Sequence, residues 1–242
     1  MSRCALALAA ALLLTGAATA DIIIDYTEDA GGSNTDPLNG LSASATFGLD
    51  GTELTILLRN TSTGVPLGAQ VADSLFVSLG FNLIDDITIL SGDSALIGPG
   101  SVGVGLWDGL MEGANVGDQW LWTNDGGGDL MADYAQIIST SDGQGDGTTI
   151  SFNGELNPNV GGPFGGIAAS PPILDIPLNQ PAVSDSILFT LTLSGALSEE
   201  QLMGIAENSL VEFGSDFQYL SVPTPGTLPA ILLVLLGRRR RR

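Results

Sequence analysis

The stretch ASATFGLDGTELTILLRNTS constrains the fold more than any other part of this 242-residue chain. Residues 43–49 and 53–59 are two runs of strand character on either side of Asp50-Gly51. An Asp-Gly pair supplies the positive backbone angles of a tight hairpin, so the two runs are expected to fold back on each other. Leu54, Ile56 and Leu58 fall on one face, Thr55 and Leu57 on the other. Both faces are fairly apolar, as in a strand inside a sandwich rather than at its rim.

Further strands are expected at 22–26, 74–81, 86–90, 102–107, 119–123, 134–139, 148–153, 187–194 and 217–222. Residues 187–193 (ILFTLTL) alternate sharply, which reads as a half-buried strand. One helix is expected after Ser198, in SEEQLMGIAEN. Glu199 and Glu200 suit its positive first turn, and Gln201 stands at the third position of a capping box. Residues 155–181 are rich in Pro and Gly and read as a long connection over the domain. Short strands between Gly, Asp, Asn and Pro turns predict an all-β fold: a single antiparallel β-sandwich, jelly-roll-like, with one short helix near the C-terminus.

The two ends differ from this body. Arg3, the apolar run at 5–14 and the small residues Ala18 and Ala20 have the three-part layout of a secretory signal peptide. Cleavage after Ala20 would leave Asp21 first. The C-terminus reads SVPTPGTLPAILLVLLGRRRRR. It joins a proline hinge (Pro223, Pro225), an apolar segment at 228–236, and Arg238, Arg239, Arg240, Arg241 and Arg242. Arginines beside an apolar segment stay on the cytoplasmic face. A transmembrane helix is expected here, but a brief one. At about 1.5 Å per residue, 227–237 reaches only about 16 Å of a core about 30 Å thick, and Pro229 interrupts it. The layout is thus 1–20 signal peptide, 21–220 body, 221–242 tail.

This tail resembles the PEP-CTERM sorting signals of Gram-negative bacteria, with Pro223, Thr224, Pro225 and Gly226 similar to the PTPG variant. Thr224 stands where the usual motif has Glu. The resemblance implies recognition by an exosortase, a membrane-embedded cysteine protease, and only transient contact with the inner membrane. It covers about twenty residues and addresses sorting alone. More loosely, LTILLRNTSTGVP and VEFGSDFQYL resemble patterns in other exosortase-dependent surface proteins, whose bodies are thought to be β-sandwiches of unassigned activity.

Composition then narrows what the body can do. Its only basic residue is Arg59, against 27 acids, a net charge of −26. Nucleic-acid binding is excluded, because phosphate contacts need basic side chains. The body has no Cys, His or Lys. A Ser-His-Asp triad, a thiol nucleophile, a lysine base and a histidine zinc site are therefore all out of reach. Paired carboxylates remain as a glycosidase option, but nothing singles out an acid and a base. The expectation is a protein without enzymatic activity.

Two binding readings stay open. Asp125 and Asp129, or Asp142 and Asp146, lie in Gly-rich loops of the type that binds calcium. The second loop begins like an EF-hand but has Asn153 at its twelfth position, and a plain polar loop is favoured. No other cofactor is expected. Trp107, Trp120 and Trp122 fall within sixteen residues, with Asn115, Asp118 and Gln119 nearby. Exposed, they would stack on exopolysaccharide; buried, they are core, which is the favoured reading. The expected function is an exported surface or extracellular-matrix protein, with a carbohydrate-binding module and a calcium-dependent adhesion domain as the alternatives.

Overall fold

The structure, a computed structural model, describes residues 21–34, 40–64, 70–84, 86–126, 129–140, 149–156, 165–170, 180–214 and 217–224. Among them are fifteen strands: β1 (Ile22–Tyr26), β2 (Glu28–Gly31), β3 (Ala43–Asp50), β4 (Glu53–Asn60), β5 (Phe76–Phe81), β6 (Ile89–Ile97), β7 (Gly103–Gly105), β8 (Leu121–Thr123), β9 (Gln136–Ser139), β10 (Ile150–Ser151), β11 (Ile167–Ala168), β12 (Pro181–Ser184), β13 (Ser186–Leu193), β14 (Leu210–Phe213) and β15 (Gln218–Ser221). One α-helix, α1 (Glu199–Glu207), lies near the C-terminal end. The chain forms an all-β domain with two antiparallel sheets, in which β11–β12 is a parallel pair.

The first sheet has the order β1-β3-β4-β13-β6. Its centre is the expected hairpin, moved along by one residue. Asp50 pairs with Glu53, so the two-residue turn is Gly51-Thr52 and Asp50 belongs to β3. Gly51 sits at φ +63°, the position where a Gly-first turn needs a residue without Cβ. Leu54, Ile56 and Leu58 are buried on the inner face, and Thr55, Leu57 and Arg59 are half-buried on the other. Strand β13 alternates as its sequence predicts, with Ile187, Phe189, Leu191 and Leu193 inward.

The second sheet has ten strands around β5. One edge of β5 pairs with β14, which leads to β15 and β2. Its other edge is shared. Residues Ser78–Phe81 pair with β9, and Phe76 pairs with β11, which leads to β12 and β7. The central strands β5, β9 and β14 are buried on both faces. That explains why they lack the alternation seen in β13. The face away from the first sheet is covered partly by the 129–134 segment, whose Met131 packs with Ile137, Leu210 and Tyr219.

Both sheets turn apolar side chains into one buried cluster, to which α1 adds Leu202, Ile205 and Ala206. The helix starts where expected: the Ser198 hydroxyl accepts from the Gln201 amide, and the Gln201 side chain accepts from the Ser198 amide.

The chain passes from one sheet to the other between β12 and β13, through Asp185. This is the described non-glycine residue with positive φ, +71°. Arg59, the one cation of the body, binds its carboxylate at 2.9 Å. Next to it, the buried Asn60 amide donates to the carbonyls of Ser74 and Ile167, tying the end of β4 to the second sheet.

Several expectations need correction. Strands at 28–31, 181–184 and 210–213 were not anticipated, and β6 runs to Ile97 instead of stopping at Leu90. The 155–181 connection contributes β11 to the second sheet; the rest of it is outside the described residues except 155–156, 165–166, 169–170 and 180–181. The transmembrane helix is also not upheld. Among the described residues no helix is long and apolar enough to cross a membrane. Nine-residue α1 would span only about 14 Å and carries three Glu.

Candidate functional site

Trp120 and Trp122 belong to the interior. Trp120 is 0 % exposed and Trp122 5 %. Both point from the second sheet into the cluster it shares with the first. The Trp120 ring meets Phe189 edge-on at 4.9 Å, and Phe152 meets Phe189 at 5.1 Å. Trp122 lies over Gly92 so closely that a Cβ there would come within 2.5 Å of its indole ring. Neither indole N–H has a hydrogen-bond partner. Trp107 is half-buried and packs against the same cluster. Asn115 and Asp118 are exposed and Gln119 half-buried. The Asn115 carboxamide oxygen accepts from the Gly117 amide. These residues do not form a stacking platform with Trp120 and Trp122, whose faces are inside.

Of the calcium candidates, Asp125 is exposed on the loop after β8, its amide donating to the Thr123 hydroxyl at 3.0 Å. Asp129 begins the 3-10 turn Asp129–Asp133. Asp142 and Asp146 lie outside the described residues. Among the described residues no three acidic side chains converge as a metal site. Glu212 on β14 is the one buried described acid, 1 % exposed, with Ser78 and Tyr219 opposite it in register.

The C-terminal end of the body is more organised than its sequence promises. Strand β15 is held between β14 and β2, with Ser221 opposite both Leu210 and Glu28. The Thr27 amide donates to the Ser221 carbonyl at 3.3 Å. Val222 follows half-buried, and Pro223 and Thr224 are exposed. The Thr224 amide donates to the Glu28 carboxylate at 3.0 Å. The first two residues of the Pro-Thr-Pro-Gly motif are therefore held against the body, while Pro225, Gly226 and the five arginines lie outside the described residues. So do Ala18 and Ala20.

Beside this exit is a groove of about 470 Å³. Ser221–Thr224 form one wall and Glu207, Asn208 and Ser209, at the end of α1, another; Ile24 and Tyr134 complete the lining. Behind it the Tyr26 hydroxyl shares a 2.5 Å hydrogen bond with Ser209, which also donates to the Ala206 carbonyl. Burial pushes the Tyr26 hydroxyl far above the usual phenol range, an effect the Ser209 bond partly offsets. Tyr134 is raised too, by burial first and then by the Asp133 charge. Both phenols stay protonated at neutral pH, so the groove offers hydroxyls and an aromatic wall but no base stronger than a carboxylate. Sequence reasoning passed over Glu28, Tyr26 and Tyr134. Their partners lie 183 or more residues away for Tyr26 and Glu28, and no local spacing announces them. No family model, curated protein or solved structure matches this chain.

Proposed function

We propose that this chain is an exported surface or extracellular-matrix protein of a Gram-negative bacterium, without enzymatic activity, whose C-terminal signal is processed by an exosortase-type membrane protease. Its body is a β-sandwich with jelly-roll-like closure. The observation that carries the reading is where the described strands end. The last described strand ends at Ser221, two residues before the Pro-Thr-Pro-Gly motif, and Pro223 and Thr224 are exposed. Processing at the motif would remove none of the described strands. The signal-peptide layout at 1–20 and the arginines at 238–242 supply the rest of the sorting argument. A body carrying 27 acids and a single paired arginine suits a soluble matrix component and disfavours anionic partners. Sugar stacking on Trp120 and Trp122 draws no support from this geometry, because both rings are buried.

The test is co-expression in a Gram-negative host with and without an exosortase-type protease. With the protease, a shortened chain is expected outside the cells. Replacing the five arginines by serine should block that shortening. The same full-length chain in all three cultures would sink the proposal.

A further inference from the structure

Three contacts converge on the last described residues, all from two adjacent residues at the other end of the domain. The Thr27 amide donates to the Ser221 carbonyl at 3.3 Å. The Ser221 hydroxyl reaches the Glu28 carbonyl at 3.5 Å. The Glu28 carboxylate accepts from the Thr224 amide at 3.0 Å. The first is a backbone bond beside the β2–β15 ladder, and the second is a long hydroxyl contact between residues already opposite each other in it. The third is different, because it is a carboxylate crossing to the backbone three residues beyond the strand.

A carboxylate on a backbone N–H makes a charge-assisted bond, stronger than a neutral one. The donor is well chosen. Pro223 before it and Pro225 after it have no N–H, so Thr224 provides the only amide in the Pro-Thr-Pro triplet. Any backbone latch on the start of this motif has to use it.

We propose that Glu28 is a positioning residue for processing: it holds the chain against the body through Thr224, shielding the bonds up to that point from the protease, so that the mature protein keeps Pro223 and Thr224. This rests on the processing reading above and assigns Glu28 a part in it. A protease must draw several residues of substrate into an extended path. A segment latched to a sheet has to be released first.

The experiment uses the full chain and three forms: wild type, Glu28→Ala and Glu28→Gln. Hydrogen exchange is followed at the Thr224 amide. The wild type should exchange about five- to tenfold more slowly there than Glu28→Ala. Glu28→Gln keeps a neutral acceptor oxygen and should restore part of the protection, placing it between wild type and Glu28→Ala. Amides of β4 and β13 serve as the folding control. Equal exchange at Thr224 in all three forms overturns the proposal. The same three are then recovered from cells containing the protease, and their C-termini are read by mass spectrometry. Wild type and Glu28→Gln should retain Thr224, and Glu28→Ala should give ragged ends upstream of it. A wild-type end before Thr224 overturns the shielding claim. An unprocessed wild-type chain contradicts the processing reading and the shielding with it, while the exchange result still decides whether Glu28 holds Thr224.

Discussion

At the scale of single residues, buried polar groups give the sharpest expectations. Tyr26 keeps its proton in the folded state after an unfolded chain would have lost it. A phenol raised on folding contributes stability that is complete below the unfolded value of about 10 and is lost as the pH rises above it. Unfolding titrated from pH 8 upward should therefore show stability falling above about pH 10. Tyr26→Phe should flatten that fall, though not abolish it, since Tyr134 is raised as well. Trp122 gives the second expectation. Its indole N–H is buried without a partner, which costs about 1–3 kcal/mol. Trp122→Phe removes that cost and keeps most of the ring. Chemical denaturation should place it within about 1 kcal/mol of wild type, against about 3–5 kcal/mol lost in Trp122→Ala. The clustering of the tryptophans was plain in the sequence. Their burial was a choice between two readings, because a ring on a strand looks the same from either side until its sheet partner is known.

At the scale of elements, β6 shows where legibility ended. Its sequence, ILSGDSALI, contains Ser-Gly-Asp-Ser, which reads as a turn. In the sheet the same residues stay in the strand as two bulges. Thr190 pairs with Ser94 and Leu191 with Gly92, which leaves Asp93 extra; Thr192 pairs with Ser91 and Leu193 with Ile89, which leaves Leu90 extra. Asp93 is held by the Ser91 and Thr192 hydroxyls, each at 2.7 Å. The bulges bring the Gly92 backbone under Trp122. Gly92→Ala should cost about 1–3 kcal/mol by crowding that ring, measured as a shift in denaturation midpoint. An unchanged midpoint would mean that the contact is loose. By contrast, α1 and the β3–β4 hairpin were readable because their signals are local: a capping box within four residues, and a Gly-containing turn between alternating runs. The short strands of the second sheet depend on long-range partners. Those buried on both faces, β5, β9 and β14 among them, have no period to read.

For the whole molecule, charge and chain ends dominate. A body at −26 with its single cation committed to the Asp185 corner repels itself. Raising NaCl from about 0.05 to about 0.5 M should raise the thermal midpoint, since screening weakens that repulsion. A midpoint that falls with salt would mean that the Arg59–Asp185 pair outweighs the net charge. The net charge was countable from the sequence, but not that Arg59 locks the passage between sheets, for its partner lies 126 residues on. The tail motif was legible too, whereas its tether to Glu28, 196 residues earlier, was not. The central claim is that this acidic domain is delivered outside the cell and cut at its C-terminal signal. The most direct measurement is the intact mass of the chain recovered from outside an exosortase-containing Gram-negative cell. The account predicts a chain beginning at Asp21 and lacking all five C-terminal arginines. A chain of the full 24.8 kDa, or one found only in the cytoplasm, would contradict it.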